Sequence, residues 1–139
     1  MPLKNEASPS QEKPTLTSPE RALKCAELAF DKKAYTIRAL DISRISSIAD
    51  FLVIISGSSD KQNQAIADNI RSGLKKYGKV NDIEGASEGK WIVMDYGDVL
   101  VHIFHDELRR HYDLDGLWNR APELELPKQI RDARRESDF

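Results

Sequence analysis

The most constraining feature of this sequence is a short run that is apolar on both sides. Residues 50–56 read Asp-Phe-Leu-Val-Ile-Ile-Ser. Because successive side chains of a strand point to opposite faces, this run predicts a strand buried on both faces, in the middle of a sheet. Gly57 ends the run, and the spacing of Ser59 and Gln62 forms a capping box that starts a helix. The central strand therefore leads directly into a helix, as in an α/β fold.

The remaining patterns place a second helix and four more strands around this one. Ser18 as N-cap and Pro19 as first helical residue predict a helix that extends to about Lys33, and Gly78 is the expected left-handed cap of the helix after the central strand. The other strands are predicted at residues 35–40, 80–83, 91–95 and 99–104. This order predicts a two-layer α/β fold with a mixed five-stranded sheet, in which the central strand and the strand 80–83 are parallel across a right-handed crossover.

Length and composition indicate one soluble domain with two polar ends. The chain has 139 residues, the usual size of a single domain. Residues 1–18 are rich in Pro, Ser and charged groups and predict a disordered tail, and residues 122–139 predict a polar C-terminal extension. No apolar run reaches the roughly 20 residues that cross a bilayer, the N-terminus does not resemble a signal peptide, and Cys25 has no second cysteine to pair with. We therefore expect a cytoplasmic protein without membrane contact.

The charge is distributed unevenly along the chain. The net charge of −2 offers no overall attraction to nucleic acid, so direct sequence-specific binding of nucleic acid is not expected. Residues 86–126 carry nine acidic and four basic side chains. Such a segment favours a basic protein as partner, because complementary charge accelerates association. The alternative is an ordinary solvated surface.

Neither a catalytic site nor a metal or cofactor site is predicted. His102 and His105 point to opposite sides of a strand, and the turn at Gly57 lacks the glycine-rich phosphate motifs. A Gly-Ser turn in a mixed sheet does resemble nucleotidyltransferases, whose topology is similar. These enzymes need two carboxylates at alternate strand positions, but two residues after Asp95 the chain has Gly97. We therefore expect a nucleotidyltransferase-like topology without the catalytic carboxylates.

The hairpin between the last two strands is the best candidate for an interface. If Asp95 opposes Val99, both faces of the hairpin are apolar, and two helices cover only one face of a five-stranded sheet. Apolar surface would then remain around the hairpin and the Leu117-Trp118 segment, as at many interfaces. The alternative is that the C-terminal segment folds back and buries this face as core. Aromatic and arginine residues that often anchor interfaces occur in this part of the chain, namely Trp91, Tyr96, Arg109, Tyr112 and Trp118.

Several motifs in fixed order closely resemble the ribosomal silencing factor family, also called iojap-like. The resemblance covers about residues 19–121, which we take as the domain. It rests on Asp50-Phe-Leu-Val-Ile-Ile-Ser-Gly-Ser-Ser59, Gln64-Ala-Ile-Ala67, Glu84-Gly85, Trp91-Ile-Val-Met-Asp-Tyr-Gly-Asp98, Val101-His-Ile-Phe104, Arg110-x-Tyr112 and Leu117-Trp118.

The resemblance implies an α/β protein related to nucleotidyltransferases but without their activity. It implies binding to the large ribosomal subunit through ribosomal protein L-fourteen, which blocks joining of the small subunit and represses translation. It also implies that a homodimer can form. The alternatives are a large-subunit assembly factor or RNA-binding module and, less favoured, a nucleotidyltransferase-like enzyme. We assign the partner contacts to Trp91, Asp95, Tyr96, Asp98, His102, Arg109, Arg110 and Tyr112.

Overall fold

A computed structural model of the chain describes residues 15–134. It contains five α-helices and five strands, together with a 3-10 turn at Lys75–Tyr77. The elements in chain order are α1 (Ser18–Phe30), β1 (Tyr35–Asp41), β2 (Phe51–Ser56), α2 (Asp60–Leu74), β3 (Asp82–Glu84), β4 (Trp91–Asp95), β5 (Val99–Phe104), α3 (Asp106–Tyr112), α4 (Leu114–Leu117) and α5 (Lys128–Arg131). The predicted α/β fold with a mixed five-stranded sheet is confirmed. Within the described range, no helix is both long and apolar enough to span a bilayer.

The strand order in the sheet is β1-β2-β5-β4-β3. β2 and β5 are parallel, and the three other neighbouring pairs are antiparallel. β2 and β3 run in the same direction, as predicted, but the expectation that they are neighbours is wrong: α2 carries the chain to the far edge of the sheet, and it returns through β4 and β5. The sequence of each strand explains this arrangement. β5 has six mainly apolar residues and suits the centre beside β2, whereas β3 has three residues, two of them acidic, and suits an edge.

Two helices cover one face of the sheet. α1 and α2 pack over apolar side chains from every strand of this face, and they lie close together because Gly73 has no side chain. A Cβ atom at Gly73 would lie 2.5 Å from a methyl carbon of Leu28. α1 begins one residue earlier than predicted: Thr17 is the N-cap, because Glu20 completes a capping box with it. α2 ends at Leu74, ahead of the predicted glycine cap.

The opposite face of the sheet is covered over about half its width. α3, α4 and the loop after β1 contribute side chains that pack on β1, β2 and part of β5. The buried members of this second cluster are Leu40, Ile42, Ala49, Leu52, Ile54, Phe104 and Ala121. Trp91 and Leu100 border this cluster and are half-buried against it, but no other described residue of β4 or β3 packs on it, so one sheet face combines a packed half with a more open half.

The two ends of the chain differ from the predicted polar tails over their described parts. After Pro122 the chain runs beside β1, with the Leu124 amide donating to the Ala39 carbonyl at 2.8 Å. Leu126 and Ile130 are then buried in the core of the helix-covered face. These two apolar residues lie four positions apart in a segment that is otherwise mostly polar, so its composition alone did not indicate that part of it is buried. At the other end, Leu16 packs on the same core, and residues 1–14 and 135–139 lie outside the described residues.

Candidate functional site

The β4–β5 hairpin has a different register from the predicted one. Asp95 lies opposite Leu100, and the Tyr96 amide donates to the Val99 carbonyl at 2.9 Å, so the two strands pair one residue away from the predicted register and only Gly97 and Asp98 remain in the turn. Gly97, with φ 89°, donates its amide to Oδ1 of Asp95 at 2.7 Å and closes the turn. This one-residue shift moves all of β5 relative to β4. Because paired residues share a face, the faces predicted from the other register were wrong.

The corrected register defines a surface that we call the open face. It is the uncovered half of the second sheet face, and its side chains are half-buried or exposed. It consists of Asp82 and Glu84 from β3, Trp91, Val93 and Asp95 from β4, and Leu100 and His102 from β5. Apolar and aromatic side chains lie in its centre and carboxylates lie at its β3 edge, so it combines an apolar centre with a negative rim.

Two carboxylates face each other across the open face. Asp82 is the direct cross-strand partner of Asp95, whereas Glu84 faces Val93. Like charges directly opposite each other destabilise a sheet. None of the seven open-face residues is Lys or Arg, and burial lowers the pKa of His102 to about 4, so its imidazole is neutral near pH 7. The open face is therefore negatively charged.

An aromatic cluster fixes one end of the open face. Trp91 lies between the rings of Phe104 and Tyr112, at centroid distances of 5.2 and 4.9 Å. Its indole nitrogen also hydrogen-bonds His102. Tyr112 is 56% exposed, so the cluster reaches from the packed half of the sheet to solvent. The structure thus brings together four of the predicted contact residues, Trp91, Asp95, His102 and Tyr112.

Two other predicted contact residues lie on the helix-covered side. Tyr96 is 9% exposed, and the Arg21 guanidinium lies 5.8 Å from its ring centroid. Asp98 forms an ion pair with the same Arg21 at 3.0 Å. The hairpin turn is therefore tied to α1, and neither side chain belongs to the open face. For Tyr96 the physical reason is the alternation of side chains along the chain: with Asp95 on the open side, the next residue points to the other side.

Arg109 is part of the internal structure of the domain. It is 5% exposed and donates to Ser56 Oγ and the Thr36 carbonyl as well as to the carboxylate of Asp115. Arg38 reaches the same carboxylate at 2.7 Å. This network ties α3 and α4 to β1 and β2. Arg110, by contrast, is exposed on α3, and a contact role for any of the eight residues stays a prediction.

Sequence reasoning missed four residues of the open face. Asp82, Glu84, Val93 and Leu100 were not assigned a contact role, although strand alternation alone places Val93 beside Trp91 and Asp95. The other three can be placed on this face only from the pairing of β3 and β5 with β4. The pairing of β5 in turn depends on the length of the hairpin turn.

A pocket lies at the carboxyl ends of β2 and β5, where α/β sheets often bind ligands. It has a volume of about 600 Å³ and includes Gly57, Lys90 and His105 in its lining. Asp60 contacts both of these side chains, with His105 Nε2 at 2.7 Å and Lys90 Nζ at 3.6 Å. Over residues 15–134, no group of three His, Cys, Asp or Glu side chains is arranged to hold a metal ion.

Packing explains the glycine of the Gly-Ser turn without a phosphate ligand. A Cβ atom at Gly57 would lie 1.8 Å from Oδ1 of Asn63. Asn63 is fully buried, and its amide donates to the Gly89 carbonyl at 2.8 Å. Gly57 therefore leaves room for the side chain that joins α2 to the loop before β4.

Comparisons with known proteins agree with this architecture. Residues 15–139 match the family model described as "Ribosomal silencing factor during starvation". Ribosomal silencing factor RsfS of Bacillus subtilis is 45% identical over 106 residues, 75% of this chain and 90% of that protein. The protein of the same name from Halalkalibacterium halodurans is 43% identical over 97 residues, 69% of this chain and 83% of that protein.

A solved structure shows the same fold. The crystal structure of a protein from Chromobacterium violaceum superimposes with a TM-score of 0.73 at 27% identity, covering 85% of this chain and 98% of that one. The family model spans nearly the whole chain, and the two sequence relatives cover more than two thirds of it. The chain therefore belongs to the ribosomal silencing factor family.

Proposed function

We propose that this protein represses translation by binding the large ribosomal subunit through ribosomal protein L-fourteen, where it blocks the small subunit from joining. The observation that carries the proposal is the open face, an apolar and aromatic surface with three carboxylates and no Lys or Arg. A basic ribosomal protein is the complementary partner for such a surface. Family membership supports the same role, and the site of action is the cytoplasm, where the subunits meet.

The Asp82–Asp95 pair supports a cationic partner. The two side chains share a face in neighbouring strands, so their repulsion lowers the stability of the free protein. A Lys or Arg side chain placed between them would remove that repulsion and gain attraction from both carboxylates. Binding would thereby recover part of the stability that the repulsion between the two carboxylates costs the free domain.

Trp91 is the proposed anchor of the interface. Tryptophan is enriched among residues that dominate binding free energy, especially beside other well-packed groups. Trp91 is half-buried, and its ring is held by Phe104, Tyr112 and His102. A side chain held in one orientation loses little conformational entropy when a partner covers it.

The proposed mechanism requires no catalytic group. A bound domain prevents joining by occupying space that the other subunit needs, so affinity and position determine its effect. This agrees with the regulatory role named for the relatives. The two carboxylates nearest the hairpin turn are also not brought together as a catalytic pair would be. Asp95 lies on the open face, whereas Asp98 pairs with Arg21 on the other side of the sheet.

Charge reversal at the β3 edge tests the proposal. Asp82→Lys with Glu84→Lys changes two edge positions of the open face. We expect at least about a tenfold loss of affinity for purified large subunits in sedimentation assays, with a matching loss of inhibition of subunit joining by light scattering. Trp91→Ala should give losses of the same kind through the apolar part of the face.

The matched control reverses two exposed acids elsewhere, Asp31→Lys with Glu125→Lys. It has the same net charge as the test variant and should bind and inhibit like the unchanged protein. The proposal fails if the folded test variant binds and inhibits as well as the control. Analytical ultracentrifugation of the same proteins tests whether the open face also forms the homodimer that the family resemblance implies.

A further inference from the structure

A second charged surface, of opposite sign, lies at the far end of α2. Residues 69–81 contain four basic side chains and no acidic one. The four are Arg71, Lys75, Lys76 and Lys79, all exposed, and we call them the basic ridge. They lie at the end of α2, in the 3-10 turn and just after Gly78. A local charge of this size is notable in a chain with a net charge of −2.

Three members of the basic ridge line one groove. Its volume is about 370 Å³, and its lining consists of Arg71, Ser72, Lys75, Lys79 and Val80. None of these five residues is acidic. Arg71 lies 3.9 Å from Asp68, but both side chains are more than half exposed, so this contact neutralises little of the charge.

The helix end explains only part of this arrangement. Basic residues in the last turn of a helix interact favourably with its dipole, which applies to Arg71 and to the lysines of the 3-10 turn. Lys79 follows Gly78 and belongs to neither helix, yet it lines the same groove. Helix stabilisation therefore does not account for a groove with bases on both sides of the turn.

We propose that the basic ridge binds the phosphodiester backbone of RNA without sequence preference. Phosphate contacts need Lys, Arg and hydroxyl groups, and the groove offers three bases and the hydroxyl of Ser72. A protein partner would need an apolar or aromatic anchor at its centre, and the groove lining offers only Val80. The chemistry of the groove thus favours RNA over an acidic protein.

The basic ridge and the open face lie on opposite sides of the sheet. α2 packs on the face that carries Ile92 and Met94, whereas the open face carries their neighbours Trp91, Val93 and Asp95. The two surfaces therefore face different directions, although Lys79 lies only three residues before Asp82 in the chain. RNA binding is a contact in addition to the protein contact proposed above, and it can be tested without ribosomes.

The test compares two triple variants of the full chain by fluorescence anisotropy with labelled single-stranded oligouridine. Arg71→Gln with Lys75→Gln and Lys79→Gln removes the bases of the groove. The slope of log affinity against log salt should become shallower by about 2, because each phosphate contact contributes roughly 0.7 in single strands. The control, Lys32→Gln with Arg44→Gln and Lys61→Gln, removes the same charge at exposed positions outside the ridge and should keep the original slope.

Three results would overturn the proposal. The first is equal salt dependence for the two triple variants, and the second is no RNA binding by the unchanged protein at low salt. The third is displacement of the RNA by polyglutamate as effectively as by unlabelled RNA of equal charge, which would indicate an acidic protein partner. Circular dichroism of each variant confirms that the comparison is between folded proteins. Because the assay contains no ribosomal protein, a negative result would overturn RNA binding by the basic ridge and would not bear on the role proposed for the open face.

Discussion

Trp91 donates its indole N–H to Nδ1 of His102 at 2.9 Å, across the β4–β5 pair. The acceptor nitrogen must be unprotonated, so this hydrogen bond requires the neutral imidazole with its proton on Nε2. Burial acts in the same direction and lowers the pKa of His102 to about 4. The open face is thus built around a histidine that stays neutral well below its ordinary pKa.

Acid should therefore destabilise the protein through His102. Between the ordinary pKa of 6.5 and the lowered value of about 4, the unfolded chain binds a proton at this residue and the folded protein does not. Stability conferred by the neutral imidazole is complete above this window and is lost as the pH falls through it. From about pH 7 to about pH 5 the free energy of unfolding should fall by about 2 kcal/mol on this account.

Urea denaturation at the two pH values, with His102→Gln as the comparison, measures this contribution. The variant has no titrating group at position 102. Its free energy of unfolding should therefore fall by about 2 kcal/mol less between the two pH values than that of the unchanged protein. Equal pH dependence in the two proteins would show that His102 titrates normally in the fold.

Asp82→Asn should stabilise the free domain and weaken its binding. The substitution keeps the size of the side chain and removes the repulsion with Asp95, for an expected gain of about 0.5 kcal/mol in the free energy of unfolding. The same change removes a carboxylate that is proposed to meet the basic partner. Glu84→Gln is the control, because Glu84 faces Val93 and not another acid. It should weaken binding without the gain in stability, and an equal gain in both variants would contradict the cross-strand argument.

Asp115→Asn should destabilise the domain by leaving Arg109 without its counter-charge. Burial raises the pKa of Asp115, but the hydrogen bonds and charges of Arg109 and Arg38 outweigh it and lower the pKa to about 2. We expect a loss of about 2 kcal/mol, less than for a fully buried pair because water reaches Asp115. The stabilisation is present above the ordinary pKa of 3.8 and is lost as the pH falls towards 2.

The surface pair of Lys128 and Asp132 provides the comparison for that experiment. Both side chains are more than half exposed, so Asp132→Asn should leave the unfolding midpoint in urea unchanged. If Asp115→Asn has an equally small effect, then Arg109 is held by its contacts to Ser56 and Thr36 alone.

Two substitutions at Tyr96 should have opposite effects on stability. Its ring is buried, and its hydroxyl has no hydrogen-bond partner among residues 15–134. Tyr96→Phe removes the unsatisfied group and should raise the free energy of unfolding by about 1 kcal/mol. Tyr96→Ala leaves a cavity and should lower it by about 3 kcal/mol. Thermal unfolding followed by circular dichroism measures both, and destabilisation by Tyr96→Phe would reveal a partner for the hydroxyl.

The sequence was sufficient for the elements of this fold and insufficient for their pairing. The apolar run at 50–56 and the N-cap at Ser59 are local signals, and the strand and the start of the helix formed where predicted. The predicted capping box is only half formed, because the Gln62 side chain accepts from Ser58 and not from the Ser59 amide. That β5 rather than β3 lies beside β2 depends on contacts between segments some 45 residues apart in the chain. Periodicity alone contains no information about that choice.

For the candidate site too, the sequence was sufficient for local features but not for the pairing of strands. Trp91, Asp95 and His102 fall on one face in the structure, but the sequence-based register separated His102 from the other two. A difference of one residue in the hairpin turn decides this, because a shift of the register by one exchanges the faces of a strand. Arg109 illustrates a different limit. Its type suggested an interface, whereas its environment, with Ser56, Thr36 and Asp115, made it internal, and residue type cannot distinguish these roles.

The position of the C-terminal segment beside β1 also affects how this protein avoids aggregation. An exposed strand edge can pair with another chain and extend the sheet from molecule to molecule. Here one outer strand is bordered by the segment after Pro122, and the other, β3, has three residues of which two are acidic. Neither border favours polymerisation, so a mutation that detaches the segment should cause fibrous or amorphous assembly.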